Sequence, residues 1–355
     1  MIKMNFRPGN GQKESLEYIS RQTDNSVSKL LRMGADCVIE KYSGEVKIPQ
    51  NILVVGGTGY IGKAFVQHQR DKGRNVTVLK TDLTNSLTLR QDLDKLDDKG
   101  FDVGYNLAAD VGGIGYTSTN QLDIFYNNFI MIKNYFEYIY PICDFTVQTS
   151  SACIYPSNVE YPTTEKFIGS KPDKQVLGYG AAKLLMTTFG NILEEANVNT
   201  LILTNVYGEY LNSCESFGEK SHAIAALIEK FYVAKKQGIG EVHLWGDGSQ
   251  TRDFVHVEDV VNALDLAAIK PRMGIPDGFN IANGVELSIK SIALKIAKII
   301  GFEGSIVWDT TKPTGVKRRW LSTSKAETYL GWNTNIYFDT GLENEVNWYV
   351  RSRNA

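Results

Sequence analysis

Cysteine is scarce in this 355-residue chain, where Cys37, Cys143, Cys153 and Cys214 stand far apart and form no Cys-x-x-Cys pair. That argues against a disulfide frame or a zinc site and predicts reduced thiols, so no metal is expected. No stretch approaches the roughly 20 consecutive apolar residues of a membrane span. The opening residues, Met1 to Ser15, lack the apolar core of a secretory signal, so a soluble cytoplasmic protein is expected. An excess of positive charge is missing as well. The 38 Lys and Arg against 40 Asp and Glu give a net charge of -2, without the basic footprint of a nucleic-acid partner. Low-complexity tracts and internal repeats are also absent, which argues against a solenoid.

What is present is an alternation of short apolar runs and helical stretches. After a polar segment over residues 1–50, with one helix expected near Ser15–Met33, a strand is predicted at Ile52–Val55, then a helix to about Lys72. Further strands are expected at Val76–Leu79, Val103–Ala108, Phe145–Thr149 and Thr200–Thr204, with helices over Leu122–Tyr140 and Leu177–Ala196. Such alternation predicts an α/β fold, a parallel sheet with helices on both faces. Beyond Tyr207 it loosens. Helices are expected at about Ser221–Gln237 and Glu258–Ile269, with strands at Val242–Trp245 and Phe279–Ala282. Ile289, Ile292, Ala293, Ile296, Ile299 and Ile300 recur at spacings of three and four, one face of a helix.

Two motifs carry chemistry. Gly56, Gly59 and Gly62, with Tyr60 and Ile61 between, follow the first strand and open a helix. Glycines there let the backbone turn sharply and approach a pyrophosphate at the positive helix end. About twenty residues on, an acid would hold the ribose 2′-hydroxyl of NAD. Here the second strand is followed by Lys80, whose cation suits a 2′-phosphate and favours NADP(H). An ordinary exposed lysine reads the same way, and NAD(H) stays open. Asp82 and Ala108 complete the expected cofactor-binding residues. The second motif is Tyr179 and Lys183, one helical turn apart and so on one face. A neighbouring ammonium stabilises phenolate and lowers the tyrosine pKa toward acid–base work. Ser151, just after a strand, is expected to bond the reacting oxygen beside Tyr179.

From Asn51 onward the chain resembles the extended short-chain dehydrogenase/reductase family of nucleotide-sugar enzymes. Within it the likeness is to the GDP-L-fucose synthase group, then to the GDP-mannose 3,5-epimerase group. The residues behind the likeness are Leu107 to Gly115, Tyr126-Asn127-Asn128, Ser151 to Pro156, Thr204 to Gly208, Lys220-Ser221-His222, Trp245 to Gly248, Arg252 to Val257, and Lys312 to Gly315. The glycine spacing Gly-x-x-Gly-x-x-Gly also matches.

The resemblance implies a Rossmann-type doubly wound parallel sheet with a smaller C-terminal substrate-binding domain. The dinucleotide-binding part would span 51–205 with about 242–260 and 279–283, and the substrate-binding part about 206–241 and 284–355. It implies a hydride-transfer triad of Ser151, Tyr179 and Lys183, of which Tyr179 and Lys183 also contact the cofactor. Cys153 and His222 would be the acid–base pair of epimerisation. Asn205, Trp245, Arg252 and Arg319 would bind substrate, with Arg252 on the diphosphate and Arg318 also near the nucleotide. The implied activity is 3,5-epimerisation with NADPH-dependent 4-keto reduction of a GDP-linked deoxysugar, by a homodimer. An epimerase without net redox and a catalytically idle dinucleotide-binding regulator are the alternatives. Residues 1–50, Ile168–Leu177 and the loop between Tyr210 and Glu219 depart from the family pattern, which leaves the exact sugar open.

Overall fold

The computed structural model describes residues 48–96, 100–192, 197–209, 221–269 and 278–354. The helix expected near Ser15–Met33 and the loop from Tyr210 to Glu219 lie outside the described residues. The first half reads β1 (Asn51–Val55), α1 (Tyr60–Asp71), β2 (Asn75–Leu79), α2 (Ser86–Leu93), β3 (Val103–Asn106), α3 (Ile114–Thr119) and α4 (Gln121–Asn134). It continues with β4 (Thr146–Ser151), α5 (Leu177–Ile192), β5 (Val198–Leu203) and β6 (Asn205–Tyr207). The second half holds α6 (Ala223–Gln237), β7 (Glu241–Trp245), β8 (Thr251–Arg252), β9 (Phe254–His256), α7 (Val257–Ile269) and β10 (Phe279–Ile281). After these come β11 (Leu287–Ser288), α8 (Ile289–Ile300), β12 (Ser305–Asp309), β13 (Arg318–Arg319), α9 (Ser324–Leu330) and α10 (Phe338–Asn354).

Six strands form one parallel sheet in the order β10-β5-β4-β3-β1-β2. Ile52, Leu53, Val54 and Val55 are all buried, as a strand covered by helices on both faces requires. The strand order reverses between β1 and β3, so the loops after these strands diverge to opposite faces and open a crevice, where such sheets bind ligands. Gly56 and Ala108 stand at that crevice.

Several elements differ from expectation. The helix predicted over Leu122–Tyr140 is α-helical only to Asn134. It then widens to a π turn over Tyr135–Ile139 and tightens to a 3-10 turn containing Pro141, whose ring cannot donate to the ladder. Asn85 caps the unpredicted α2 by accepting from the Leu87 and Thr88 N–H groups, at 3.1 and 3.2 Å. That Asn-Ser pair was its start signal. β7, grouped by sequence with the dinucleotide-binding fold, pairs instead with β12 in a separate parallel ribbon. Its inward Val242 and Leu244 join Ile228, Phe231, Ile296 and Leu342 in a second apolar cluster built by α6, α8 and α10. The isoleucine face of α8 enters this cluster. Among the described residues no helix is long and apolar enough to cross a membrane.

A buried ionic knot fastens α7 to the α1–β2 corner. Asp265 accepts from Lys72 Nζ at 2.6 Å and Gln69 Nε2 at 3.3 Å, and is paired with Arg74. Burial pushes the Asp265 carboxyl up, but Lys72 and Arg74 outweigh it and hold it below its ordinary range. A carboxylate depressed in the folded state stabilises above its unfolded pKa of about 3.9 and loses that contribution as pH falls through the lower folded value. Asp265→Asn is expected to lose about 3–5 kcal/mol in urea unfolding near neutral pH, because it strands two cations. The gap between variant and wild type should close below about pH 4, and a gap independent of pH would contradict this account.

Candidate active site

The site begins where β1 ends. Gly56 has φ +75°, and a Cβ there would lie 2.5 Å from the Ala108 nitrogen, so the chain passes too close to β3's exit loop for any side chain. Gly59 caps α1 without a side-chain bond, and no acid occupies the first turn formed by Tyr60, Ile61 and Gly62. An anion approaching that turn meets no like charge from its own side chains, which fits a pyrophosphate. Lys80 follows β2 directly, is exposed, and makes no hydrogen bond or ion pair among the described residues. Asp82 differs: its Oδ1 accepts from the Thr84 N–H at 2.9 Å and the Thr84 hydroxyl at 2.8 Å, closing its own turn. The carboxylate is thus occupied while the ammonium is available, which fits a dinucleotide bearing a 2′-phosphate.

Across the crevice lies α5. Gly178 and Gly180 flank Tyr179, and each is a point of contact. A Cβ at Gly178 would meet the Gln121 carbonyl at 2.0 Å, and one at Gly180 the Cys153 carbonyl at 2.4 Å. Polar side chains of β4 hold the same helix from below. Gln148 Nε2 donates to the Met186 carbonyl at 2.9 Å, and Ser150 Oγ to the Lys183 carbonyl at 3.1 Å. Tyr179 is thereby brought into hydrogen bonding with Ser151, whose Oγ also accepts from the Cys153 N–H at 3.2 Å. Ser151, Cys153, Tyr179 and Lys183 form one group.

The electrostatics of that group run against expectation. Burial raises the Tyr179 phenol, the Cys153 thiol adds to the rise, and the Ser151 bond only offsets part of it. Lys183 does not lower it. Its amine is 1% exposed, donates to the Thr149 carbonyl at 2.9 Å, and is itself brought down to about 7 by burial. A protonated phenol is the form a proton donor needs. Cys143, by contrast, packs away from this group, and burial pushes its thiol up to about 12.

A third wall carries two arginines. β8 and β13 run parallel with Arg252 opposite Arg319. Arg252 donates to the Thr251 and Thr314 carbonyls at 2.8 and 3.0 Å, and Arg319 to the Tyr155 carbonyl at 3.0 Å. Among the described residues neither has a carboxylate partner. Burial, then the Arg319 charge, brings Arg252 down to about 10. Two adjacent guanidinium groups held only by carbonyls fit a diphosphate. The neighbouring Arg318 is committed elsewhere, bidentate to Glu286 at 2.5 and 2.6 Å and stacked on Tyr161.

Other expected residues sit differently. Asn205 donates to the Asp253 carbonyl at 3.0 Å, which ties β6 to β9. Trp245 ends β7 with its indole 40% exposed. His222 precedes α6 beside the undescribed residues 210–220; its surface is exposed, yet protein around the ring lowers its pKa by desolvation. Sequence reasoning missed Asp253, a buried carboxyl raised to about 7 by burial that receives the Asn283 and Gly284 N–H groups at 2.8 and 3.1 Å. It anchors the strand bearing Arg252, and its signal was its place in the Arg252 to Val257 segment that carries the family likeness.

Lys183 yields a stability prediction. Its folded pKa of about 7 lies below the ordinary lysine value, so the unfolded chain binds the extra proton. The resulting penalty is full below that folded value and fades as pH rises toward the unfolded value of about 10.4. Lys183→Met should therefore raise the melting temperature by at least about 2 °C in slightly acidic buffer, with less gain in alkaline buffer. A variant that melts lower at every pH would show the amine to be stabilising.

Known proteins resemble this chain in sequence and fold. Residues 52–282 match the model of the NAD dependent epimerase/dehydratase family. "Putative GDP-L-fucose synthase 2" of Arabidopsis thaliana is 31% identical over 310 residues, covering 85% of this chain and 92% of that protein. "GDP-L-fucose synthase" of Escherichia coli (strain K12) is 27% identical over 317 residues, covering 86% and 98%. A solved GDP-6-OMe-4-keto-L-xylo-heptose reductase from C. jejuni superposes with a TM-score of 0.76 at 24% identity, over 87% of this chain and all of the other. A GDP-L-fucose synthetase from Naegleria fowleri bound to NADP does so with a TM-score of 0.72 at 23% identity, over 86% and 93%. The last two share the fold. With a family model that spans residues 52–282, the chain belongs to the NAD dependent epimerase/dehydratase family.

Proposed function

We propose that this chain is a nucleotide-sugar enzyme that epimerises a GDP-linked 4-keto-deoxysugar at carbons 3 and 5 and reduces its keto group with NADPH. The observation that carries the reading is one crevice lined by a protonated Tyr179 bonded to Ser151, a thiol beside them, and a carboxylate-free arginine pair. Arg252 and Arg319 hold the diphosphate, which fixes the sugar with carbon 4 at Tyr179. Ser151 and Tyr179 bond the keto oxygen. The bound dinucleotide supplies the hydride, and Tyr179 donates the proton that the oxygen then needs. Lys183 orients the cofactor at the floor of the site.

A keto group at carbon 4 acidifies the hydrogens on carbons 3 and 5. Cys153 removes a proton from one face and His222 returns one to the other, since a thiol and an imidazole both titrate near neutrality when perturbed. The desolvation that lowers His222 disfavours its charged form, so an imidazolium there gives up its proton readily. Lys80 selects NADPH over NADH. Residues 51–205 with α7 and β10 hold the cofactor, and about 206–241 with 284–355, now including all of β7, hold the sugar nucleotide. Leu122, Tyr126 and Phe129 are exposed at spacings of four and three on α4, which supports a homodimer, and the scattered cysteines support a cytoplasmic setting.

Deuterated water tests this reading. Without NADPH, wild-type protein and GDP-4-keto-6-deoxymannose should take up deuterium at carbon 3, carbon 5, or both. With NADPH, preferred over NADH, the sugar should be reduced. Cys153→Ser should slow exchange by about 10²–10⁴-fold while reduction persists. Exchange without any NADPH consumption would favour an epimerase with no net redox, and neither activity would leave a binding protein.

Gly180 offers a second check. Gly180→Ala must push α5 off the Cys153 carbonyl, and a displacement near 1 Å costs about 10²-fold in turnover. Urea unfolding should show a loss of about 1–3 kcal/mol, the cost of overpacking, with the fold retained. Undiminished turnover would mean that the glycine contact does not position Tyr179.

A further inference from the structure

Asp110 lies two residues beyond Ala108 on the loop that leaves β3. Its backbone is fastened at both polar atoms by the buried Asn128. The Asp110 N–H donates to Asn128 Oδ1 at 3.1 Å, and Asn128 Nδ2 donates to the Asp110 carbonyl at 2.8 Å. Its carboxylate is aimed as firmly. The Tyr116 hydroxyl donates to it at 3.0 and 3.2 Å, and Asn127 Nδ2 at 2.9 Å. Asp110, Tyr116 and Asn127 all remain partly exposed, so this group has an edge that solvent reaches.

That edge belongs to the cleft. On one side, the Asp110 charge acts on the Tyr179 phenol. On the other, Ile114 of the same segment lies against Gly315, where an added Cβ would be 3.4 Å from Ile114 Cδ1 and 3.1 Å from the Arg252 guanidinium. Residues 110–115 therefore form the wall that runs from the tyrosine to the arginine pair. A sugar held at both ends lies along it.

The assignment rests on the function proposed above. In a 4-keto-6-deoxy sugar, carbon 4 has two neighbours. Carbon 5 carries the ring oxygen and a methyl group, neither of which donates a hydrogen bond. Carbon 3 carries a hydroxyl. We propose that Asp110 is a specificity-determining residue whose carboxylate accepts a hydrogen bond from that carbon-3 hydroxyl. It commits the site to sugars hydroxylated beside the keto group. A purely structural role, linking α3 to α4 through Tyr116 and Asn127, needs only an acceptor oxygen, which an asparagine at 110 also supplies.

The test pairs GDP-4-keto-6-deoxymannose with its 3-deoxy analogue, using the full chain and NADPH. Wild type should prefer the hydroxylated sugar by about 10–100-fold in kcat/KM, the effect of one hydrogen bond to a charged acceptor. Asp110→Ala should lose about that factor on the hydroxylated sugar and stay within a few-fold of wild type on the analogue, so that the preference collapses. Asp110→Asn, which keeps an acceptor for Tyr116 and Asn127, should fall between and serves if the alanine variant no longer binds NADPH. Equal use of both sugars by wild type, or equal loss on both in the variants, overturns the assignment. Failure of wild type to reduce either sugar overturns the reductase reading and the assignment together.

Discussion

The backbone of α5 touches the turn after β4 without a side chain between them. Glycine on both sides of Tyr179 makes this approach possible, with the Cys153 carbonyl against Gly180 and the Gln121 carbonyl against Gly178. Any Cβ at either position would move the helix. Because the contact is between main chains, it leaves no rotamer freedom to absorb error, and the Tyr179–Ser151 bond inherits its precision. Lys183, one turn further along the same face, is driven into the sheet and must take the Thr149 carbonyl as its partner. The same packing that aligns the tyrosine also buries the amine.

A second regularity is where charges are paired and where they are not. Two groups of ion pairs stand away from the catalytic tyrosine: Asp265 with Lys72 and Arg74, and Glu286 with Arg318. Lining the crevice, among the described residues, Lys183 and Arg319 are buried and Arg252 is half-buried, each without a carboxylate partner, and Lys80 stands exposed. Burial brings Lys183 down to about 7, so the two arginines and Lys80 carry most of the positive charge there. Buried cations without counter-ions are costly, and an anionic ligand recovers that cost on binding. Asp110 is the carboxylate fixed among them, which is why its orientation bears on which sugar fits.

Much of this was legible before any coordinates. The strand-glycine-helix start, the face shared by Tyr179 and Lys183, and the isoleucine stripe of α8 follow from local periodicity, because side chains three and four residues apart meet on a helix regardless of the rest of the fold. The continuous apolar run of β1 likewise predicts a strand buried on both faces. Less legible were α2, whose face is mostly polar, and the end of α4, where a π turn preserves a helical pattern while changing its geometry.

The sequence by itself determined the parallel α/β architecture, the dinucleotide loop and the tyrosine–lysine pair, all encoded within a few residues of one another. Tertiary structure alone decided that Arg252 stands beside Arg319, that β7 leaves the main sheet for β12, and that the Tyr179 phenol is raised rather than lowered. Each of these depends on segments brought together from far along the chain, or on how much water the fold removes. Strand partners in parallel sheets are set by crossovers rather than by adjacent turns, and burial is a property of the whole packed molecule, so neither is written in any local pattern.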